Sequence, residues 1–235
     1  MRIIAFETSA KAASVAILQD GLLLGEYYQN SGQTHSRTVM KLAQDLLQNC
    51  DLTPADIDDV AWANGPGSFT GIRIGAAAAK GFCWGGEKEA LPVSTLEAMA
   101  YACGQDGIVC ACMDARREQV YNALFDRRDG EVLRLTEDRA IGVAELAEDL
   151  QRIPDTVLLV GDGAKLCYTM LKDQLPQLCL APEHIRQQRA SGVALAANAL
   201  LQKSGAVSAH GVVPTYLRLS QAERERLSRL GKKGD

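Results

Sequence analysis

The sequence predicts an α/β protein built from two similar halves, each a mixed sheet flanked by helices. Three observations predict it. An element order βββ-α-β-Gly-α occurs twice, about a hundred residues apart. A chain of 235 residues has room for one large domain or two small ones. Hydrophobic residues make up 47% and charged residues 23%, a globular mix that excludes disorder for the chain as a whole. The halves divide as residues 1–104 and 105–219, followed by a charged tail over 220–235. No residue-level repeat accompanies the duplicated order.

In the first half, Ile3–Thr8, Ala13–Gln19 and Leu22–Gln29 read as strands, with Asp20-Gly21 as the hairpin signal. Arg37–Cys50 reads as a helix, because Val39, Leu42, Ala43, Leu46, Leu47 and Cys50 recur at helical spacing. Thr34 or Ser36 is available to cap it. Asp59–Ala63 is a fourth strand and runs into Asn64-Gly65-Pro66-Gly67. A helix over Phe69–Trp84, a strand over Ala90–Val93 and a helix over Thr95–Cys103 complete the half. The second half repeats the order with strands Gly107–Asp114, Gln119–Asp126 and Glu131–Thr136, and with Asp129-Gly130 as the matching hairpin signal. A helix over Val143–Gln151, a strand over Thr156–Val160, a Gly161-Asp162-Gly163 turn and helices over Ala164–Leu175 and Gly192–Lys203 follow. Gln221–Leu230 mixes both signs of charge and reads as a frayed helix ahead of a disordered end.

Composition excludes several classes. A formal charge of −4 and few aromatics argue against a free-standing nucleic-acid binder, so contact with RNA is expected through a partner. Seven cysteines, an odd number without framework spacing, read as small buried hydrophobes in a reducing cytosol. Cys110-Ala-Cys112 has the wrong spacing for a redox or zinc pair. Glu7 interrupts any signal-peptide core, and the charge-free stretch Ser204–Leu217 is too short to span a bilayer. The expected setting is the cytoplasm, without a membrane.

The sharpest local feature is Gly65-Pro66-Gly67-Ser68-Phe69-Thr70-Gly71-Ile72-Arg73-Ile74-Gly75. A glycine-rich turn from a strand into a helix can hold an anion on its backbone N–H groups. Gly65, Gly67 and Ser68, with Glu7 and Asp114 at the ends of the first strand of each half, are the candidate nucleotide or anion contacts. The loop is neither a Walker A loop nor a dinucleotide fingerprint, and Ser68 is not in a nucleophile elbow. The competing reading is a tight turn in which Ser68 or Thr70 caps the helix, with Glu7 and Asp114 bonded to turn backbone. Gly71, Gly75 and Ala79 share one face of the helix. Glycine inside a helix costs roughly 1 kcal/mol against alanine, so close approach of another backbone is expected, either an internal helix or a second chain. The candidate docking residues are Val39, Leu42, Leu46, Gly71, Ile74, Gly75 and Ala78, on two helices able to form half of an intermolecular four-helix bundle. His35, His184 and His210 are scattered and form no metal motif. No catalytic or metal-ligating set is assigned.

Ile4-Ala5-Phe6-Glu7-Thr8-Ser9, the Gly65–Gly75 motif, Met113-Asp114-Ala115-Arg116-Arg117 and Pro214-Thr215-Tyr216-Leu217-Arg218 together closely resemble the bacterial TsaB (YeaZ) family. The resemblance runs over most of the chain and implies an actin-like ATPase (ASKHA) fold of two ribonuclease-H-like halves. It also implies a non-catalytic partner subunit of TsaD. With TsaE, that complex forms threonylcarbamoyladenosine next to the anticodon in tRNAs reading codons that begin with A. A homodimer is expected in isolation, and tRNA contact through the complex. The resemblance implies no cofactor of the chain's own, with ATP and metal on the partner subunits. TsaD carries a metal-binding H-x-x-x-H, and Thr95 and Met99 fall where those histidines would be, with Glu97 between them. The alternatives are an actin-like ATPase or phosphotransferase acting alone, or a glycoprotease-type metallopeptidase.

Overall fold

The computed structural model describes residues 1–85, 88–204 and 213–218. The first strand, β1 (Arg2–Glu7), is apolar on both faces because it lies mid-sheet with helices on each side. It pairs antiparallel with β2 (Ala13–Gln19), which pairs antiparallel with β3 (Leu22–Gln29). After α1 (His35–Asn49), β4 (Asp59–Gly65) adds to the other side of β1 in parallel. After α2 (Phe69–Trp84), β5 (Glu89–Ser94) adds to β4, giving the order β3-β2-β1-β4-β5. Then α3 (Thr95–Ala102) leads to the second half.

There β6 (Gly107–Arg116), β7 (Gln119–Arg128) and β8 (Glu131–Arg134) form the antiparallel part. A short β9 (Arg139–Gly142) also pairs with β7 and precedes α4 (Val143–Gln151). Next come β10 (Val157–Val160), α5 (Ala164–Leu171), β11 (Leu178–Leu180), α6 (Glu183–Arg186) and α7 (Ala190–Ser204). The order β11-β10-β6-β7-β8 is the first sheet's order read from its other end. Strand β9, strand β11 and helix α6 are absent from the sequence reading; at three or four residues each they are too short to carry a periodic pattern. The helix read as Ala164–Leu175 ends at Leu171.

Side-chain alternation divides the core. Ile4, Phe6, Val15, Ile17, Val60 and Trp62 point outward from the first sheet, under α1 and α2. Cys110, Cys112, Leu124 and Leu159 do the same in the second sheet, under α4 and α5. The opposite faces, with Ile3, Ala5, Ala61, Val109 and Phe125, share one core around α3 and α7. Helix α7 falls within 105–219 yet packs on β1, β2, β4 and β5, while α3 reaches β6, β7 and β8. The two helices cross where a Cβ on Gly192 would lie 2.1 Å from the Ala98 carbonyl oxygen. The halves therefore exchange helices across a shared middle layer. Among the described residues no helix is long and apolar enough to cross a membrane. His210 and the tail over 220–235 lie outside the described residues.

Candidate functional site: the inter-half cleft and the outer helix pair

The ends of β1 and β6 use the same device. The Ser9 N–H donates to Glu7 Oε1 at 2.6 Å, and the Arg116 N–H donates to Asp114 Oδ1 at 2.8 Å. Each strand-end carboxylate thus caps the turn that follows it. Their surroundings differ. Glu7 is fully buried, and burial pushes its carboxyl up to about 7, against the hydrogen bonds from Ser9 and with a small contribution from Asp162. Its Oε2 has no hydrogen-bond partner among the described residues. Asp162, also raised by burial, accepts a bond from Gln188 at 3.0 Å. Asp114 remains partly exposed and pairs with Arg116 at 3.2 Å. The β6–β7 turn holds Arg116, Arg117 and Glu118 at φ of 68°, 57° and 55°, left-handed backbone that costs of the order of 1 kcal/mol per residue.

The Gly65–Gly75 segment is built around β1. The Ser68 N–H donates to the Ser9 carbonyl at 2.7 Å, and Ser68 Oγ accepts from the Gly71 N–H, capping α2. Gly65, at φ +122°, lies against the Thr215 carbonyl oxygen, where a Cβ would sit at 2.3 Å. A Cβ on Gly71 would sit 2.1 Å from the Thr8 carbonyl oxygen, and one on Gly75 would sit 2.6 Å from Thr8 Oγ1. Thr8 Oγ1 in turn donates to the Gly71 carbonyl at 2.8 Å. The glycine stripe therefore accommodates the end of β1, not a second helix or chain. Of the candidate docking residues, Gly71, Gly75, Val39, Leu46 and Ala78 are buried inside the chain, and Leu42 and Ile74 are half-buried. The apolar spacing that marked them reports contact with their own sheet.

Between the halves lies a cavity of about 440 Å³. Gly67, Ser68 and Asp114 line it, as do Ser9, Lys11 and Asp162. Glu7 and Gly65 are not in its wall: Glu7 is turned onto the Ser9 backbone and Gly65 is covered by Thr215. The segment Thr215–Arg218 runs across the cavity. The Thr215 N–H donates to the Asn64 carbonyl at 2.8 Å, and Arg218 Nη1 donates to the Ala115 carbonyl at 3.0 Å, so the segment is tied to both halves. Tyr216 stacks on Phe69 with ring centroids 4.7 Å apart. Its hydroxyl accepts from Arg73 Nε at 3.0 Å. The sequence marked Tyr216 and Arg218 as members of a motif and gave them no role; nothing local shows that a segment starting 151 residues downstream of Asn64 crosses it.

On the outside, α1 and α2 flank a groove of about 990 Å³, with Met40, Ala43, Leu47, Gly81 and Phe82 in its walls. Met40 is 48% exposed and Trp84 88%. Elsewhere, Thr95 and Met99 are buried in the middle layer, and Glu97 pairs with Arg134 at 2.8 Å, which Asp138 also engages at 2.5 Å. A threonine hydroxyl and a thioether are poor donors for a catalytic cation, so this spot does not fit the metal that TsaD-like chemistry implies. Among the described residues no group of three or more His, Cys, Asp or Glu is placed to hold a metal ion.

Two sheets of one strand order, joined by a shared helical layer with a cleft at the strand ends, define an actin-like protein of two ribonuclease-H-like halves. A family model described as "TsaD: tRNA N6-adenosine threonylcarbamoyltransferase" matches residues 29–226. The chain is 34% identical to the tRNA threonylcarbamoyladenosine biosynthesis protein TsaB of Bacillus subtilis, over 95% of this chain and 96% of that protein. It is 34% identical to the protein of the same name from Escherichia coli, over 69% of this chain and 72% of that protein. The solved structure of YeaZ from Pseudomonas aeruginosa superposes with a TM-score of 0.79 at 25% identity, over 92% of this chain and 99% of that one. The chain belongs to the TsaB (YeaZ) family.

Proposed function

We propose that this chain acts in the biosynthesis of threonylcarbamoyladenosine in tRNA as a non-catalytic partner subunit of a TsaD-type transferase. It docks through the outer face of α1 and α2. A TsaE-type ATPase completes the complex, which the tRNA reaches as a whole, and ATP and the catalytic metal sit on the partner subunits. The observation that carries the reading is the outer surface of α1 and α2: a groove with Met40, Leu47, Leu52 and Phe82 in its wall among Gln44, Gln48 and Lys88, and the almost fully exposed Trp84 on α2, are surface that a chain ordinarily buries against a partner. The donor-poor position at Thr95 and Met99 supports placing the chemistry on the other subunit.

Reconstitution by omission tests this. TsaD, TsaE, the synthase of the threonylcarbamoyl adenylate and unmodified tRNA are combined with threonine, bicarbonate and ATP, and modified adenosine is counted by mass spectrometry. Omitting this chain is expected to abolish the product. Equal product with and without it would remove the partner-subunit reading.

A further inference from the structure

The two outer helices carry the opposite charge to the rest of the molecule. Helices α1 and α2 hold Arg37, Lys41, Arg73 and Lys80 against a single acid, Asp45, which Lys41 already engages at 2.5 Å. The pair thus has a formal charge of +3, in a chain whose total is −4. Arg37, Arg73 and Lys80 are exposed, and Arg73, Ala77, Lys80 and Trp84 follow one another along one exposed stripe of α2.

Arg73 is held ready on this stripe. Its guanidinium lies 3.9 Å over the Phe69 ring and 5.9 Å from the Tyr216 ring, and Nε is bound to the Tyr216 hydroxyl. Those contacts hold it by its inner nitrogen and its flat face, and it remains exposed. A guanidinium laid on the Phe69 ring and held through Nε by the Tyr216 hydroxyl offers a preorganised donor for a carboxylate. Arginine seated among aromatic residues is also a side chain that tends to dominate an interface.

We infer that the α1–α2 face is an interaction surface for a protein partner presenting carboxylates, with Arg73 as its fixed anchor and the Thr215–Arg218 segment, through Tyr216, as part of the surface. The inference rests on the partner-subunit reading above and deepens it. A second copy docked face to face would set +3 against +3, so charge selects a different, acidic partner. The segment that spans the cavity therefore also braces the docking anchor.

The test uses the full chain with three variants: Arg73→Glu, Lys80→Glu, and Lys165→Glu on exposed α5 as a control, each first checked for its fold by circular dichroism. Affinity for the TsaD-type transferase of the same cell is measured by calorimetry at low and high salt. Self-association is measured by sedimentation velocity, and binding to a short single-stranded RNA by fluorescence anisotropy. Arg73→Glu and Lys80→Glu are each expected to weaken transferase binding by about tenfold or more, and Lys165→Glu to leave it unchanged. High salt is expected to weaken that binding and to strengthen self-association, and Arg73→Glu to strengthen self-association as well. Unchanged transferase affinity in Arg73→Glu and Lys80→Glu overturns the inference. So does self-association that Arg73→Glu weakens, or RNA binding that it abolishes. If the native chain does not bind the transferase, the partner-subunit reading falls, and the self-association arm alone decides the charge assignment.

Discussion

The outer helix pairs of the two halves occupy equivalent places and have diverged. In the first half α1 and α2 have 15 and 16 residues; in the second, α4 and α5 have 9 and 8. A helix of 16 residues runs about 24 Å and one of 8 about 12 Å. The short helices turn Val143, Leu146, Leu150, Cys167 and Leu171 onto their sheet. The long ones cover theirs and still keep a groove and an exposed stripe. Charge diverges too: the α4–α5 pair carries Glu145, Glu148 and Asp149 against Lys165, a formal −2, whereas the α1–α2 pair carries +3. Duplicated topology fixes where helices lie on a sheet, while their length and outward residues decide which half keeps an exposed groove and a positive stripe.

The strand ends make the same point in miniature. Both halves press glycine against the end of their first strand, Gly71 on Thr8 and Gly163 on Met113 and Asp114. The largest expected effect breaks that contact. Gly71→Ala would put a Cβ 2.1 Å from a backbone oxygen, and Gly163→Ala one 2.8 Å from a backbone carbon. Each is expected to destabilise by roughly 3 kcal/mol in urea denaturation, with Gly71→Ala the worse. Gly75→Ala meets the Thr8 hydroxyl and is expected to cost less than Gly71→Ala. Equal stability of Gly71→Ala and the native chain would show that α2 does not need the close approach.

Next in size is the difference between buried Glu7 and half-open Asp114. A carboxyl raised to about 7 from 4.5 binds its proton more tightly folded than unfolded. Its contribution is therefore greatest below pH 4.5, and declines as pH rises towards 7. Glu7→Gln keeps an acceptor for the Ser9 N–H and removes the titration. Native stability relative to the variant is expected to fall by up to about 3 kcal/mol between those pH values, measured by urea melts across the range. A constant difference would place the titration elsewhere.

Two smaller effects refine the picture on α2 itself. A Cβ on Gly81 meets nothing within 4 Å, so Gly81→Ala is expected to stabilise by about 0.5–1 kcal/mol, the opposite sign to Gly71→Ala on the same helix. Tyr216→Phe keeps the stack on Phe69 and loses the bond from Arg73. It is expected to cost less than about 1 kcal/mol globally. Faster amide exchange at Thr215 would show that the bond helps hold the segment down.

Much of the frame was legible in the residues. The strand read over Ala13–Gln19, the Asp-Gly hairpins and the helix starting after Ser68 stand where local pattern puts them, and the strand read over Ile3–Thr8 runs Arg2–Glu7. The capping reading of Ser68 and the turn-bonding readings of Glu7 and Asp114 match the observed hydrogen bonds. The site was legible only in part. The Gly71/Gly75 stripe signals close approach but cannot name what approaches, and a buried apolar stripe reads the same whether its own sheet or another chain covers it. Val39 and Leu46 show this, since the first sheet already buries them.

By itself the sequence determined the order of the longer elements and the turn chemistry, because each depends on residues a few positions apart. Only the tertiary structure decided that α3 and α7 cross between the sheets, that Thr8 faces the glycines, and that Tyr216 braces Arg73. Those contacts join residues tens to well over a hundred positions apart. Their partners are chosen by how two sheets pack around a shared layer, which no local periodicity encodes.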